Sequence, residues 1–270
     1  MLTIFTPTYN RAYILPKLYA SLCSQTCKEF EWVVVDDGST DETTHLVNQW
    51  QRDGMLNINY IVQANGGKHR AINNGVRYAS GELFFIVDSD DYLTDDAVER
   101  IEQKWSEVRG RKDISGLCFR KVNYTTGTVI GKPFPQTEEP YATTFEIHYK
   151  WGIQGDKAEV FRTDLVRQNP FPEIAGERFM TEAYIWNQIA GRQDAKLYCV
   201  EAGIYMCNYL EDGLTANFKK LLRNNPQGYI RYYRSLFKYS IIWNHPIDLA
   251  KITVRLLQSY FYRMFQKVML

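Results

Sequence analysis

The first 110 residues alternate short apolar segments with amphipathic ones, and this order constrains the fold more than any other feature of the chain. The apolar segments predict strands at Leu2 to Thr6, Glu31 to Val35, Ile58 to Val62 and Leu83 to Val87. The amphipathic segments predict helices at Tyr13 to Ser24, Lys68 to Ala79 and Asp95 to Val108. A further helix is predicted after the second strand, with Ser39 or Thr40 as its cap and Asp41 and Glu42 in its first turn. Strands that alternate with helices predict an α/β fold, a doubly wound and mainly parallel sheet with helices on both faces.

A polar cluster follows the apolar part of each predicted strand. The clusters are Pro7 to Arg11, Asp36 to Ser39, Gly66 to Arg70 and Asp88 to Asp91. In open α/β sheets, ligands bind beyond the carboxyl ends of the strands. We therefore expect the four clusters to meet at one edge of the sheet and to form a binding site there.

The second half of the chain has a more mixed pattern. Strands are predicted near Leu117 to Tyr124, Ala158 to Phe161 and Leu197 to Cys199, and a helix from Thr181 to Ala190. Residues 214–270 are helical and aromatic in pattern, and they contain ten Lys or Arg but one acid, Asp248, which gives this segment a net charge of +9 by subtraction. Such charge asymmetry is typical of an interaction surface.

The composition is that of a globular protein, with 270 residues of which 45% are hydrophobic and 23% charged. Five scattered cysteines and four histidines, none at zinc-ligand spacing, predict a reduced, cytoplasmic setting. The chain does not begin with a basic segment followed by a long apolar run, and no stretch approaches the ~18 apolar residues of a membrane span. We therefore expect neither a signal peptide nor a transmembrane helix.

Three carboxylates, those of Asp88, Asp90 and Asp91, lie within four residues directly after a predicted strand. Close carboxylates raise each other's pKa, and a divalent cation relieves the repulsion. Hard oxygen ligands suit Mg²⁺ or Mn²⁺, with diphosphate oxygens in the remaining positions. An EF-hand does not fit, because Leu93 stands where its calcium loop requires glycine. A solvated acidic turn and a phosphatase with an aspartate nucleophile remain open.

Six segments of the first 110 residues follow one another in the order and spacing of a known family. They are Thr6-Pro7-Thr8-Tyr9-Asn10-Arg11, Ser24-Gln25-Thr26, Glu31 to Asp41, Asn65-Gly66-Gly67-Lys68, Ala79-Ser80-Gly81-Glu82 and Asp88-Ser89-Asp90-Asp91. Together they resemble glycosyltransferase family 2, the inverting group with the GT-A fold. The resemblance implies a nucleotide-sugar-binding half over residues 1–110 and an acceptor-binding half over 111–213. The charge and pattern of residues 214–270 predict a basic, aromatic helical tail beyond them.

The resemblance also implies a site for a nucleoside diphosphate sugar, with a UDP-sugar as the expected donor. The donor-binding residues it implies are Thr6, Pro7, Tyr9, Asp37, Lys68, Asp88 and Asp90. Thr6 and Asp37 are expected at the base and ribose, and Asp88 on the ribose side. Asp90 is the expected ligand of Mg²⁺ or Mn²⁺, and Lys68 is expected near the phosphates or the sugar, together with Arg70.

On the acceptor side, the resemblance assigns the general base to Glu182, at the start of a predicted helix. The family often has Glu-Asp at this point, whereas this chain has Glu182 followed by Ala183. Glu177 is the second candidate. A carboxylate in this place accepts the proton of the attacking hydroxyl.

These expectations describe a metal-dependent, inverting transferase that adds a sugar to a glycan or lipid-linked glycan in surface polysaccharide synthesis. The processive members of the family carry transmembrane helices and a Gln-x-x-Arg-Trp motif; neither is present in this sequence, which favours a non-processive enzyme. The alternatives are the phosphatase and a non-catalytic nucleotide-sugar-binding module. The tail is expected either to lie on an anionic membrane or to pack on the catalytic domain or a second subunit, as in a homodimer. No motif indicates nucleic-acid binding.

Overall fold

The computed structural model describes residues 1–192, 195–208 and 218–268, and the side chains up to residue 265. The strands are β1 (Leu2–Thr8), β2 (Phe30–Asp36), β3 (Ile58–Val62), β4 (Leu83–Ile86), β5 (Tyr92–Leu93), β6 (Ile114–Asn123), β7 (Tyr141–Ala142), β8 (Lys157–Arg162) and β9 (Lys196–Cys207). The helices are α1 (Leu15–Cys23), α2 (Thr43–Asp53), α3 (Lys68–Tyr78), α4 (Ala97–Val108), α5 (Thr163–Gln168), α6 (Ala183–Ala190), α7 (Phe218–Asn224), α8 (Pro226–Leu236), α9 (Ser240–Trp243) and α10 (Pro246–Val268), with a π-helical turn at Glu146–Lys150.

Within the described ranges, nine strands form one sheet in the order β3-β2-β1-β4-β8-β6-β9-β5, with β7 added beside β9. Strands β1 to β4 pair in parallel, which confirms the predicted βα repeat. The second half of the chain makes the sheet mixed, because β8 runs antiparallel to both β4 and β6, whereas β9 runs parallel to β6. The α/β architecture with helices on both faces is therefore confirmed.

The sheet separates two apolar cores, because successive residues of a strand point to opposite faces. In β2, Trp32 and Val34 face the core that contains α1 and α4, whereas Val33 and Val35 face the core that contains α3 and α6. Both sets of side chains are fully buried. Burial on both faces explains the uninterrupted apolar run of this strand.

The start of α2 differs from the prediction. The helix begins at Thr43 and not in the turn after Ser39, and Ser39 and Thr40 do not cap it. Instead, the Asp41 carboxylate accepts hydrogen bonds from the backbone N–H and the hydroxyl of Thr43. The Ser39 hydroxyl accepts from the N–H of Asn10, so the segment before α2 ties the first two strand ends together.

The C-terminal helices form a third apolar cluster. Leu222, Tyr229, Leu236 and Ile252 pack there with Ala190, the last residue of α6. The predicted helical tail is thus present over residues 218–268, while 214–217 and 269–270 lie outside the described residues. Among the described helices, none is both long enough and apolar enough to cross a membrane.

Candidate active site

The carboxyl ends of β1, β2 and β4 meet at one edge of the sheet, as predicted. Asp37 follows β2, Asp88 follows β4, and Lys68 is the first residue of α3. The second half of the chain adds Glu182, which directly precedes α6.

The ammonium of Lys68 connects two predicted site residues. Its Nζ lies 2.5 Å from Oδ1 of Asp88 and 2.6 Å from Oε1 of Glu182. Burial acts to lower the pKa of Lys68, but the charges of Asp88 and Glu182 outweigh it and raise that pKa above its ordinary value. The structure therefore joins the expected donor side and the expected general base through one permanent positive charge.

The other two carboxylates after β4 are in a less favourable environment. Burial, followed by the charge of Asp88, raises the pKa of Asp90 and raises that of Asp91 to about 7. For Asp88 itself, burial acts to raise the pKa, but the charges of Lys68 and Lys121 and the hydrogen bond from Lys68 together outweigh burial, and the pKa falls. Negative charge at Asp90 and Asp91 is thus only partly compensated by the protein.

These oxygens suit a divalent cation. Asp90 and Asp88 can each supply a carboxylate oxygen, and the raised pKa of Asp90 shows that a nearby positive charge would stabilise its ionised form. The described residues contain no group of three or more His, Cys, Asp or Glu arranged to hold a metal by themselves. Magnesium is commonly bound through one or two carboxylates plus substrate phosphates, and this donor set fits that pattern.

The carboxylate of Asp37 organises the loop between β3 and α3. Its Oδ1 accepts hydrogen bonds from Nε2 of Gln63 at 2.7 Å and from the N–H of Gly66 at 2.8 Å, and its Oδ2 accepts from the N–H of Gly67 at 2.7 Å. Asp37 therefore positions the backbone directly before Lys68. Its contact with a nucleoside base stays a prediction.

Gly67 is a position that only glycine fits. Its φ is +96°, and a Cβ there would lie 1.8 Å from the carbonyl oxygen of Arg178. The loop before α6 thus packs directly on the backbone at the start of α3. This close approach brings Glu182 and Lys68 together.

Thr6 and Pro7 lie in the last part of β1, and Tyr9 directly follows the strand. Thr6 is fully buried, and its hydroxyl accepts a hydrogen bond from the indole N–H of Trp32 at 3.0 Å. Pro7 is also buried, opposite Val35 of β2, whereas the ring of Tyr9 is half exposed. The Thr6 hydroxyl is thus hydrogen-bonded within the core. Contacts of Thr6, Pro7 and Tyr9 with the nucleotide-sugar donor stay predictions.

The two candidate bases have different environments. Both carboxylate oxygens of Glu177 accept backbone N–H groups at the start of α8, from Gln227 and Gly228, each at 2.7 Å. Glu182 makes no capping hydrogen bond to its own helix and turns its carboxylate to Lys68. Glu177 thus attaches the tail to the loop before α6, whereas Glu182 contacts Lys68; the role of either as the base stays a prediction.

The guanidinium of Arg70 contacts the loop before α6 and the backbone before α3. Its guanidinium donates to the carbonyl oxygens of Ile174 and Gly66 and pairs with Glu173. This places its charge on the loop before α6. The expectation that Arg70 lies near the donor phosphates or sugar stays a prediction.

Lys121 of β6 and Tyr205 of β9 also lie near Asp88 and Asp91, and neither of them was predicted from the sequence. Burial acts to lower the pKa of Lys121, but the charges of Asp88 and Asp91 raise it. The Tyr205 hydroxyl accepts the backbone N–H of Asp88 at 2.9 Å and hydrogen-bonds the side chain of Asp91. Only the pairing of distant strands places them here, so local periodicity carried no signal for them.

Comparison with known proteins decides the family. The sequence matches the family described as Glycosyl transferase family 2 over residues 3–164, more than half of the chain. The chain belongs to this family. Its residues Asp37, Lys68, Asp88 and Asp90 all lie within the matched range, and Glu182 lies after it.

Curated relatives of this family 2 chain act in glycan assembly, according to their names. One is the GalNAc(5)-diNAcBac-PP-undecaprenol beta-1,3-glucosyltransferase of Campylobacter jejuni, 31% identical over 191 residues that cover 68% of this chain and 58% of the relative. Another is the poly(ribitol-phosphate) beta-N-acetylglucosaminyltransferase TarS of Staphylococcus aureus, 28% identical over 73% of this chain and 35% of TarS. The chain thus spans less than two thirds of the length of either relative.

Solved structures support the fold of the family 2 chain. TarS 1-349 in complex with UDP-GlcNAc superposes with a TM-score of 0.64 and 22% identity, over 85% of this chain and 66% of that one. The mannosyltransferase PcManGT of Pyrobaculum calidifontis, in complex with GDP-Man and Mn²⁺, superposes with a TM-score of 0.63 and 16% identity, over 97% of this chain and 73% of that one. At these identities the likeness shows the shared GT-A fold.

Proposed function

We propose that this family 2 chain transfers a sugar from a UDP-sugar to a hydroxyl group of a glycan, with inversion at the anomeric carbon. The observation that supports the proposal is that one ammonium, that of Lys68, holds Asp88 and Glu182 together. Asp88 would lie on the donor side and Glu182 on the acceptor side. A transferase needs these two sides within reach of a single reacting carbon. The UDP-GlcNAc complex of TarS, which has the same fold, supports a uridine donor.

Asp90, with Asp88 beside it, would hold Mg²⁺ or Mn²⁺ together with the diphosphate of the donor. A bound cation would stabilise the negative charge that develops on the leaving diphosphate. Lys68 would supply a second positive charge to the same phosphates from the start of α3. The Mn²⁺ complex of PcManGT supports a metal in a site of this fold.

Glu182 would act as the general base. Its carboxylate would accept the proton of the acceptor hydroxyl while that oxygen attacks the anomeric carbon from the face opposite to the diphosphate. The bond to the diphosphate breaks in the same displacement, so the product has the inverted configuration. Lys68, which contacts Glu182 at 2.6 Å, would keep the base aligned until the substrates bind.

A lipid-linked glycan is the acceptor that the relatives favour, because the name of the Campylobacter jejuni enzyme specifies a polyprenyl-linked substrate. The tail offers a surface for such a substrate. One side of α10 exposes the apolar side chains of Leu257 (63% exposed), Phe261 (56%) and Met264 (68%), and the segment 214–270 carries a net charge of +9. An exposed apolar helix face in a basic segment suits an anionic membrane surface.

The activity is tested by incubating the protein with UDP-GlcNAc, UDP-glucose and UDP-galactose, each with Mn²⁺, and by measuring UDP release with and without octyl glycosides as acceptors. We expect acceptor-stimulated UDP release that Glu182→Gln lowers by about 10²- to 10⁴-fold. The matched control, Glu138→Gln, changes an exposed glutamate and should leave the rate unchanged. Release of inorganic phosphate without any acceptor would favour the phosphatase, and UDP binding without turnover would favour the binding module.

The membrane contact is tested with vesicles of phosphatidylcholine, with and without phosphatidylglycerol. We expect the protein to sediment with the anionic vesicles and the double variant Leu257→Ser, Phe261→Ser to remain in solution. The alternative is that a second copy of the chain covers this face of α10. Light scattering on both proteins therefore measures their molar mass in solution. A dimer that the double variant dissociates, without vesicle binding, would replace the membrane proposal by a homodimer.

A further inference from the structure

A second glutamate, Glu159 of β8, lies on the same side of the sheet as Glu182. The ring of Phe161 in β8 stacks on Trp186 of α6, with centroids 4.4 Å apart and planes 11° from parallel. This stack fixes the helix against the strand. Glu159 lies two residues before Phe161, about 6.6 Å along a strand, and Glu182 lies four before Trp186, about 6 Å along a helix.

Both glutamates lie toward the ligand-binding edge. β8 is antiparallel to β4, with Val160 opposite Phe85, so the start of β8 lies where β4 ends. Asp88 follows β4 and lies at this edge. Lys68 contacts both Asp88 and Glu182, so Glu182 lies near the same edge. The negative charge of Glu182 acts on Glu159, which agrees with the two side chains being neighbours.

The Glu159 side chain is only partly exposed, and none of the described residues donates a hydrogen bond to its carboxyl. Burial raises its pKa to about 7, although the nearby charges of Lys157 and Lys121 act to lower it. No residue in the described ranges donates a hydrogen bond to this carboxyl or forms an ion pair with it. Carboxyl groups in such surroundings ordinarily have hydrogen-bond partners, so this group has an unused capacity to bind one.

The position of Glu159 does not fit that of an inert carboxyl group left in the core. Glu159 faces the side of the sheet where Glu182 precedes α6, and it retains some solvent exposure. Its neighbour Glu182 already uses Oε1 for Lys68. Two carboxylates on the same face and edge of the sheet, of which Glu159 has no donor among the described residues, match a sugar that presents two adjacent hydroxyl groups.

We propose that Glu159 binds the acceptor sugar by accepting a hydrogen bond from a hydroxyl next to the one that Glu182 deprotonates. The inference rests on the proposed transferase function and specifies its acceptor as a sugar with adjacent free hydroxyls. Glu159 then selects and orients the acceptor, while Glu182 takes the proton. The donor side, around Asp90 and Asp37, does not depend on it.

The test compares Glu159→Met, Glu159→Gln and the exposed control Glu138→Gln with octyl glycosides of glucose, galactose and N-acetylglucosamine as acceptors. We expect Glu159→Met to raise the acceptor KM about tenfold, the effect of losing one hydrogen bond to a charged group. Glu159→Gln, which keeps one acceptor oxygen, should show a smaller rise. The donor KM and UDP binding should stay unchanged in both variants.

Thermal unfolding distinguishes binding from a structural role. Glu159 has no partner to lose among the described residues, so Glu159→Met should unfold at the same temperature as the wild type or higher. A lower unfolding temperature with an unchanged acceptor KM would overturn the inference. So would a wild-type enzyme that hydrolyses UDP-sugar but transfers to none of the glycosides. Failure to bind or use any UDP-sugar would instead contradict the proposed function.

Discussion

Lys68 and Glu182 form an ion pair, with Nζ 2.6 Å from Oε1, and the same ammonium also contacts Asp88. The pair spans two regions that are more than a hundred residues apart in the sequence. It depends on Gly67, whose missing side chain lets the loop before α6 approach the start of α3. One lysine thus links the proposed donor side to the proposed base.

Replacing this lysine tests the link. In Lys68→Met, Asp88 and Glu182 are left as neighbouring carboxylates without their counter-charge, which costs several kcal/mol, about 3 to 5 for a fully buried pair and less here because the site is partly exposed. We expect a lower unfolding temperature and a large loss of kcat. Lys238→Met, at an exposed position of the tail, is the control. Wild-type kcat/KM in Lys68→Met would contradict the role given to the lysine.

Glu177 and Glu182 should separate stability from catalysis. Glu177→Ala removes two hydrogen bonds at the start of α8 and should lower the free energy of unfolding by about 1 to 2 kcal/mol, as loss of a helix cap does. Glu182→Ala removes no capping bond and should mainly lower kcat. Urea unfolding and steady-state kinetics on both variants measure the two effects. The reverse pattern would move the base to Glu177.

Gly54 is a matched control for the steric crowding at Gly67. Gly67 and Gly54 both have positive φ, +96° and +65°, but a Cβ at Gly54 meets nothing within 4 Å. Gly54→Ala should therefore cost about 1 kcal/mol through backbone strain alone. Gly67→Ala should cost more, because the Arg178 carbonyl must move, and it should also lower kcat by shifting Lys68. Chemical denaturation of both variants checks the difference; equal losses would remove the close approach as an explanation.

His69 predicts how stability depends on pH. Burial, followed by the charge of Arg70, lowers the pKa of His69 to about 4, and the residue is 3% exposed. The unfolded chain, with an ordinary pKa of about 6.5, therefore binds more protons between these two values. The contribution is fully present above pH 6.5 and is lost as the pH falls toward 4, with an upper bound of about 3 kcal/mol.

Urea unfolding at pH 7.5 and 5.0 measures this dependence. The wild type should lose more stability over this interval than His69→Gln, which cannot take up the proton. Identical losses in the two proteins would show that other groups carry the acid sensitivity. The two proteins are compared by how much their free energy of unfolding changes between the two pH values, and not by its absolute value. The substitution also changes packing against Phe171, whose ring lies edge-on to His69.

The sequence predicts the first half of the domain well because its signals are local. Apolar runs that end in polar clusters locate β1 to β4 to within a few residues, and parallel pairing brings Asp37, Lys68 and Asp88 to one edge. The predicted start of α2 was wrong because the Asp41 side chain hydrogen-bonds Thr43 and forms a turn there. Such side-chain bonds to the backbone compete with helix formation, and helix propensity does not show which of the two prevails.

The second half resists prediction because its contacts are distant. Lys121, Glu159 and Tyr205 reach the site through the pairing of β6, β8 and β9, whose order in the sheet differs from their order in the chain. The cap that Glu177 forms on α8 spans fifty residues. Periodicity identifies such strands and helices, but it does not assign their neighbours.

Calorimetric titration of UDP into the protein, with Mn²⁺ and then with EDTA, tests the central claim most directly. A donor site at the end of β4 that shares a cation with the diphosphate predicts that UDP binds with Mn²⁺ and at least about tenfold more weakly without it. It also predicts that Asp90→Asn abolishes the difference while Glu182→Gln keeps it. Equal UDP affinity with Mn²⁺ and EDTA, or no binding of UDP at all, would contradict the account.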